Sequence, residues 1–456
     1  MTDKIGISEL IDAASAKGFI LRVPILCVLL MLTEGMDTFG VGFIGPYLTK
    51  QYNISIGALA TVYTGTVVAS LIGAVICAPL SDRVGRRRML IATSLIMGPC
   101  TILAAFAHNF LLLFLLRFLI GMAFGAALPI AIAMVADYAP KRRKSLFLMM
   151  MNTGINLGMV LAGLGAAVII PNLGWQALLY VSGAVSLIVT VLVCLYLPES
   201  LQILAREAGK ADQARAIAVR IDPGLASRPN VELVPDKHEV IGGSPVALLQ
   251  QQRWLTTLIL WFLMSLCYVI INYVAYWLPT AMMHAGATIS EAGVIISAGK
   301  IGGITVAVAV SWLADRRGLP RILTLCFAIC AAATTLVGFS QGVPMLAIAF
   351  VLVASFMMNA NVSGSQALIA GAFPTSLRGT ATGWVSGLAR LIGGGAGTLL
   401  GGRMISDGWS TAQMAPVLGG VLFAAAITVT VFSRLERGPG EPGREAAAVP
   451  GVALTR

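Results

Sequence analysis

Ala78-Pro79-Leu80-Ser81-Asp82-Arg83-Val84-Gly85-Arg86-Arg87 closes one long apolar stretch, and Ser311-Trp312-Leu313-Ala314-Asp315-Arg316-Arg317-Gly318 closes another. The two aspartates lie 233 positions apart. A second pair, Tyr138-Ala139-Pro140 ahead of Lys141-Arg142-Arg143 and Phe373-Pro374 ahead of Arg378, repeats with an offset of 234 between its prolines. A nearly constant offset of this length reads as one unit duplicated within the chain. If both copies place their basic turns on one side of a bilayer, each unit holds an even number of spans, the geometry of a solute transporter.

Composition agrees with a membrane setting. Charged residues make up 11% of the 456, hydrophobic residues 57%, and the mean hydropathy is +0.87. A soluble domain carries about 25% charge. With roughly 20 apolar residues per span, the hydropathy resolves into twelve segments. The expectation is an all-α polytopic membrane protein, with twelve transmembrane helices in two six-helix pseudo-symmetric bundles. The expected divisions are a cytoplasmic N-terminal segment 1–22, bundles at 23–197 and 253–433, a cytoplasmic linker 198–252 rich in Pro and Gly, and a disordered tail 434–456. Residues 1–22 lack the pattern of a cleavable signal peptide.

The net charge of +11 is concentrated in alternate turns: Arg83 and Arg86 to Arg88, Lys141 to Lys144, Arg316, Arg317 and Arg321, and Arg378. The positive-inside rule places those turns and both termini in the cytoplasm, and a multi-pass protein of the cytoplasmic (inner) membrane is expected. This distribution excludes a nucleic-acid surface. All seven cysteines lie in apolar spans, where they behave as small hydrophobes, so neither a disulfide framework nor a metal site is indicated. The histidines, His108, His238 and His284, fall in turns or the linker. No Gly-Lys-Ser/Thr phosphate loop is present, and no nucleophile and base are paired within the spans. An enzyme is therefore not expected, and an ion gradient, with no cofactor, is the expected energy source.

Burying a charge in hydrocarbon costs several kcal/mol, so ionisable groups inside spans are functional candidates. Glu34 and Asp37 are three apart on one helix face, roughly 16–21 Å into the first span. They read either as a proton or substrate site or as a structural pair neutralised by a neighbouring helix. Arg390, about 18 Å into the eleventh span among Gly387 and Gly393 to Gly395, either grips a carboxylate or pairs with Glu34 or Asp37. Lys300 of the eighth span is open to the same two readings. Arg117 either holds a carboxylate or snorkels outward. Asn156, Asn272, Tyr276 and Gln366 are polar enough to line a cavity or to bond between helices.

The repeated Asp-Arg-x-Gly turns, the twelve spans and the central linker resemble the major facilitator superfamily over the whole chain. Glu34-Gly35-Met36-Asp37-Thr38, Tyr138-Ala139-Pro140-Lys141, Leu197-Pro198-Glu199-Ser200, Trp277-Leu278-Pro279 and Gly387-Leu388-Ala389-Arg390 are similar to the aromatic acid:proton symporters within it. That family usually opens its first-span motif with Asp where this chain has Glu34, and Lys300 departs from an uncharged residue. The fifth span lacks the Gly-Pro element of drug antiporters.

The resemblance implies proton-coupled import of a small aromatic carboxylate by alternating access, by a protein expected to be monomeric. Proton coupling then falls to Asp37 and Glu34, and carboxylate recognition to Arg390. Lys300, Asn272, Tyr276, Asn156 and Gln366 are the further substrate-binding candidates. Gating falls to Asp82, Arg83, Gly85, Arg86, Asp315, Arg316, Gly318, Asp137 and Arg117, with Asp82 expected against the N-terminal end of the eleventh helix. Symport of another organic anion, aliphatic or dicarboxylic, and a membrane sensor that binds such acids without moving them are the alternatives.

Overall fold

A computed structural model describes residues 3–435 apart from 14–17, 208, 229–230, 236–247, 251–252 and 341. Twelve long helices carry the fold. The first six are α1 (Phe19–Tyr52), α2 (Ile56–Val84), α3 (Arg86–Ala105), α4 (Phe110–Tyr138), α5 (Lys144–Leu173) and α6 (Trp175–Tyr196). The second six are α7 (Trp254–Tyr276), α8 (Ile289–Arg317), α9 (Leu319–Phe339), α10 (Pro344–Ala372), α11 (Thr375–Ser406) and α12 (Thr411–Leu435). Among the described residues eleven of these are long and apolar enough to cross a membrane. The exception is α11, whose apolar length is broken by Arg390, Arg403 and a run of glycines.

The ends of these helices are written locally. Ser55 and Asn109 accept the first free amides of α2 and α4, and Thr288 with Glu291 forms a capping box on α8. Gly85 and Gly318, the glycines of the repeated turn, adopt φ of 110° and 89°, a region that β-carbon-bearing residues avoid.

The duplication is visible in the packing. In the first half α1 pairs with α5, α2 with α4 and α3 with α6; in the second α7 pairs with α11, α8 with α10 and α9 with α12. In lipid there is no hydrophobic drive between helices, so close backbone approach supplies the contact. A β-carbon on Gly35 or Gly158 would run into the facing backbone of α5 or α1, and one on Gly393 or Gly397 into that of α7. Exposed Ile188, Val191 and Val308 would be anomalous on a soluble surface and suit a lipid-facing one.

The chain outside the spans is more ordered than a plain segment and linker. Asp3–Gly6 and Val231–Val234 form a two-stranded parallel ribbon, with Lys4 Nζ 3.3 Å from Glu232. A helix at Ile7–Ala13 buries Ile7, Leu10 and Ile11 in the same apolar cluster as Tyr138, Phe147 and Leu201. The all-α expectation is amended by this ribbon, which period and composition could not announce because its partners lie more than 220 residues apart. Residues 436–456, read from sequence as a disordered tail, and His238 lie outside the described residues.

The halves meet on the face opposite the basic turns. There α5 packs on α8 and α2 on α11. Ser297 and Ser290 hydroxyls donate to the carbonyls of Val160 and Ala167 at 3.0 and 2.7 Å, and Thr64 bonds Thr398 at 2.8 Å. Tyr63 stacks on Tyr276 with centroids 4.6 Å apart, and Trp277 Nε1 donates to the Thr398 carbonyl. On the basic face Gly383 and Gly387 of α11 face open space. The molecule is closed on one face and open on the basic one.

The seam predicts a conformational phenotype. Gly42 lies against the Ala275 carbonyl, so Gly42→Val obstructs the closed face. Overpacking of this kind costs about 1–3 kcal/mol. Spin labels at positions 53 and 286, one in each half, should show a longer-distance population that the unsubstituted chain lacks.

Candidate functional site

Near mid-depth the first half supplies Glu34, Asp37 and Arg117, and the second half supplies the cations Lys300 and Arg390. Asp37 and Arg117 are both buried, and Arg117 Nη1 lies 3.0 and 3.2 Å from the two Asp37 carboxylate oxygens. Thr101 donates a third bond at 2.9 Å. Asp37 is thus compensated within its own bundle by a cation and a hydroxyl. Of the two readings for Arg117, holding a carboxylate is the one realised.

Glu34 is buried to 2% exposure, and neither carboxyl oxygen has a hydrogen-bond partner among the described residues. It lies within the electrostatic reach of Arg390 but forms no ion pair with it. The shared face of Glu34 and Asp37 therefore does not make one site. Asp37 is engaged within its own bundle, and Glu34 lies within the electrostatic reach of Arg390 of the other half.

Arg390 makes no ion pair and no hydrogen bond among the described residues; its guanidinium lies 4.4 Å from the Phe124 ring of α4. Lys300 is similarly placed, with Nζ 5.0 Å from the Phe39 ring of α1. Each of these two cations of the second half thus rests on an aromatic face of the first. A cation–π contact contributes about 0.5–2 kcal/mol and leaves the N–H donors unused, whereas a carboxylate engages them directly. The alternative in which Arg390 pairs with Glu34 or Asp37 is not realised: Asp37 is occupied by Arg117.

The remaining polar candidates separate. Asn272 donates to the Tyr268 carbonyl at 3.0 Å and lies beside Gly394 of α11. Tyr276 is 4% exposed and stacked into the closed face, a part of the seal in this conformation. Asn156 and Gln366 are half-buried on α5 and α10. Asn361 is fully buried with neither amide atom bonded among the described residues. Phe39, Phe124, Thr101 and Tyr63 were missed from sequence, because a Phe or Thr inside a span carries no signal until its neighbour is known.

The two copies of the basic turn have diverged in environment. In the first, Arg86 is buried, pairs with Asp137, donates to the Ala133 carbonyl at 2.9 Å and reaches Asp82 at 3.2 Å. Ser200 also bonds Asp137, and Glu199 accepts from the Arg87 amide at 3.0 Å. A β-carbon on Gly85 would strike the Glu199 carboxylate. In the second copy Asp315, Arg316 and Gly318 are exposed, Asp315 has no ion pair among the described residues, and Arg316 stacks on Trp312 at 3.7 Å.

The repeat stops short of the partners: at an offset of 234, Gly371 stands where the first copy has Asp137 and Ser433 where it has Glu199. The Asp82 side chain is 60% exposed and bonds Arg86 of its own turn; the side chains at 375, 376, 378 and 379, at the N-terminal end of α11 where it was expected, lie outside the described residues. Arg83 is exposed beside Asp82.

Comparison with known proteins follows the geometry. The Major Facilitator Superfamily profile matches residues 27–398 and 278–455. The chain is 31% identical to the 4-hydroxybenzoate transporter PcaK of Pseudomonas aeruginosa over 94% of its length and 96% of that protein. It is 31% identical to the gallate transporter of Pseudomonas putida, covering 93% and 94%. Among solved structures, a D-xylose-proton symporter superposes with a TM-score of 0.73 at 16% identity, covering 91% of this chain and 98% of that one. The last likeness concerns the fold.

The contrast between the turns is testable by stability. Removing one partner of a buried ion pair costs about 3–5 kcal/mol, whereas exposed charges contribute about 0–1 kcal/mol. Arg86→Ala should lower the thermal midpoint of the purified protein by several degrees, and Arg316→Ala should leave it nearly unchanged. Equal shifts would contradict the asymmetry.

Proposed function

The chain belongs to the Major Facilitator Superfamily, and we propose that it is a proton-coupled importer of a small aromatic carboxylate. It is not an enzyme. The observation that carries the reading is Arg390: a cation near mid-membrane, between the two halves, with no acidic partner and an aromatic ring beneath it. An anion with a flat apolar body fits both features. The similarity to the 4-hydroxybenzoate and gallate transporters supports the substrate class.

In this reading the basic turns and both termini face the cytoplasm of a cell with an inner membrane, a monomer is the working unit, and the proton gradient, with no cofactor, drives the cycle. The open basic face is then the releasing side. Arg390 takes the substrate carboxylate bidentately, and the ring stacks toward Phe124. Glu34, without a bond of its own, holds a proton while Arg390 is engaged by substrate and becomes the partner of Arg390 when substrate leaves. Asp37 and Arg117 keep the first bundle neutral and position α1. Asn272 lies beside the glycines of α11, where a hydroxyl or carbonyl of the substrate passes. The halves rock about this level, breaking the α5–α8 and α2–α11 seam while the basic face closes.

Two measurements in proteoliposomes test this. Loss of a hydrogen bond to a charged group contributes about 1.5–3 kcal/mol, so Arg390→Ala should weaken 4-hydroxybenzoate binding by roughly ten- to hundredfold and Arg390→Lys by less. It should scarcely change any residual binding of the corresponding amide. Comparable losses for acid and amide would assign Arg390 to the fold instead. Glu34→Gln should abolish accumulation driven by an imposed pH gradient while sparing exchange of labelled for unlabelled substrate. Undiminished accumulation would remove Glu34 from the coupling.

A further inference from the structure

A large cavity in the described structure does not lie between the halves. It occupies about 1020 Å³ inside the second bundle and is lined only by residues of that half. Its mouth lies among the loops at His284, Gly342 and Ser410, on the face opposite the basic turns, where the route between the halves is sealed. Its deepest charged group is Lys300. Along α8 the cavity runs from Glu291 at the mouth to Lys300, nine residues or about 13 Å.

The chemistry of the lining is selective. Ile296, Met358 and Leu418 form apolar walls, and Thr334 and Ser355 add hydroxyls. Tyr273 has its hydroxyl engaged with Met414 sulfur at 3.7 Å. Glu291, the acid of the mouth, is spent on its helix cap, accepting from the Thr288 amide and hydroxyl at 2.7 and 2.9 Å. Lys300 has no ion pair among the described residues and only the Phe39 ring near its charge. An unpaired cation at the end of an apolar chamber favours a ligand with one anionic end and an apolar body, and the volume is at the upper end of small-molecule pockets.

We infer that this chamber is a second ligand site, separate from the path between the halves, which binds a carboxylate on an apolar body with the carboxylate on Lys300. The inference stands apart from the transport reading, because no residue of the chamber belongs to the first half. An aryl acid and a fatty acid share the chemistry that would be recognised. The occupant would enter from the closed face. By drawing Lys300 off Phe39 it would also alter a contact that crosses the seam.

The test uses the full chain in nanodiscs with 4-benzoylbenzoate, a photoreactive two-ring carboxylate, and peptide mass spectrometry. Adducts are expected on Met358 or Met414. At sub-saturating probe, Lys300→Gln should reduce them by about tenfold or more, in line with loss of a charged hydrogen bond. Lys300→Arg should retain them, and 4-benzoylbenzamide should give few. Competition by 4-phenylbenzoate assigns the site to aryl acids and competition by palmitate to fatty acids.

Equal labelling by acid and amide, indifference to Lys300→Gln, adducts confined to residues between the halves, or competition by neither acid would overturn the inference. If Lys300→Gln does not fold, the acid-to-amide ratio and Lys300→Arg decide. Uptake of 4-hydroxybenzoate by proteoliposomes is read separately: absence of uptake with the chamber labelled would fail the transport reading and leave this one standing.

Discussion

An uncompensated charge in the membrane interior costs several kcal/mol, and the four groups near mid-depth meet that cost in different ways. Asp37 meets it with Arg117 and Thr101, inside one bundle. Arg390 and Lys300 meet it in part, each on a phenylalanine of the other half. Glu34 meets it with no hydrogen bond among the described residues. The result is a protein whose fixed charges are settled within a half and whose unsettled ones face across the division. For Arg390 and Glu34, a transported anion and a proton, as proposed, are the species that would complete the balance.

The two copies of the basic turn illustrate how duplication becomes mechanism. Buried Arg86 ties α3 to α4 and, through Asp137 and Ser200, to the segment after α6. The second copy keeps the left-handed glycine and the exposed charges but lacks those acidic partners. Opposite these turns, serine-to-carbonyl bonds and glycine contacts close the seam without any charge. Neutral contacts of that kind are inexpensive to break and remake, which suits a face that must open in every cycle of an alternating-access transporter.

The sequence by itself determined the membrane setting, the duplication and the polarity of the turns, because these depend on composition, spacing and charge, which are local. The depth of Glu34, Asp37, Lys300 and Arg390 along their helices is likewise legible in the sequence, since it follows from a fixed rise per residue, whereas the place of Arg117 was not. Partners were another matter. That Asp37 takes Arg117, that Glu34 takes none, that the cations rest on Phe39 and Phe124, and that Asp3–Gly6 pairs with Val231–Val234 depend on contacts between segments far apart in the chain. The open basic face and the chamber above Lys300 likewise exist only between helices. Side-chain partnership is set by how helices rotate and pack against one another, and a sequence read one segment at a time does not contain that rotation.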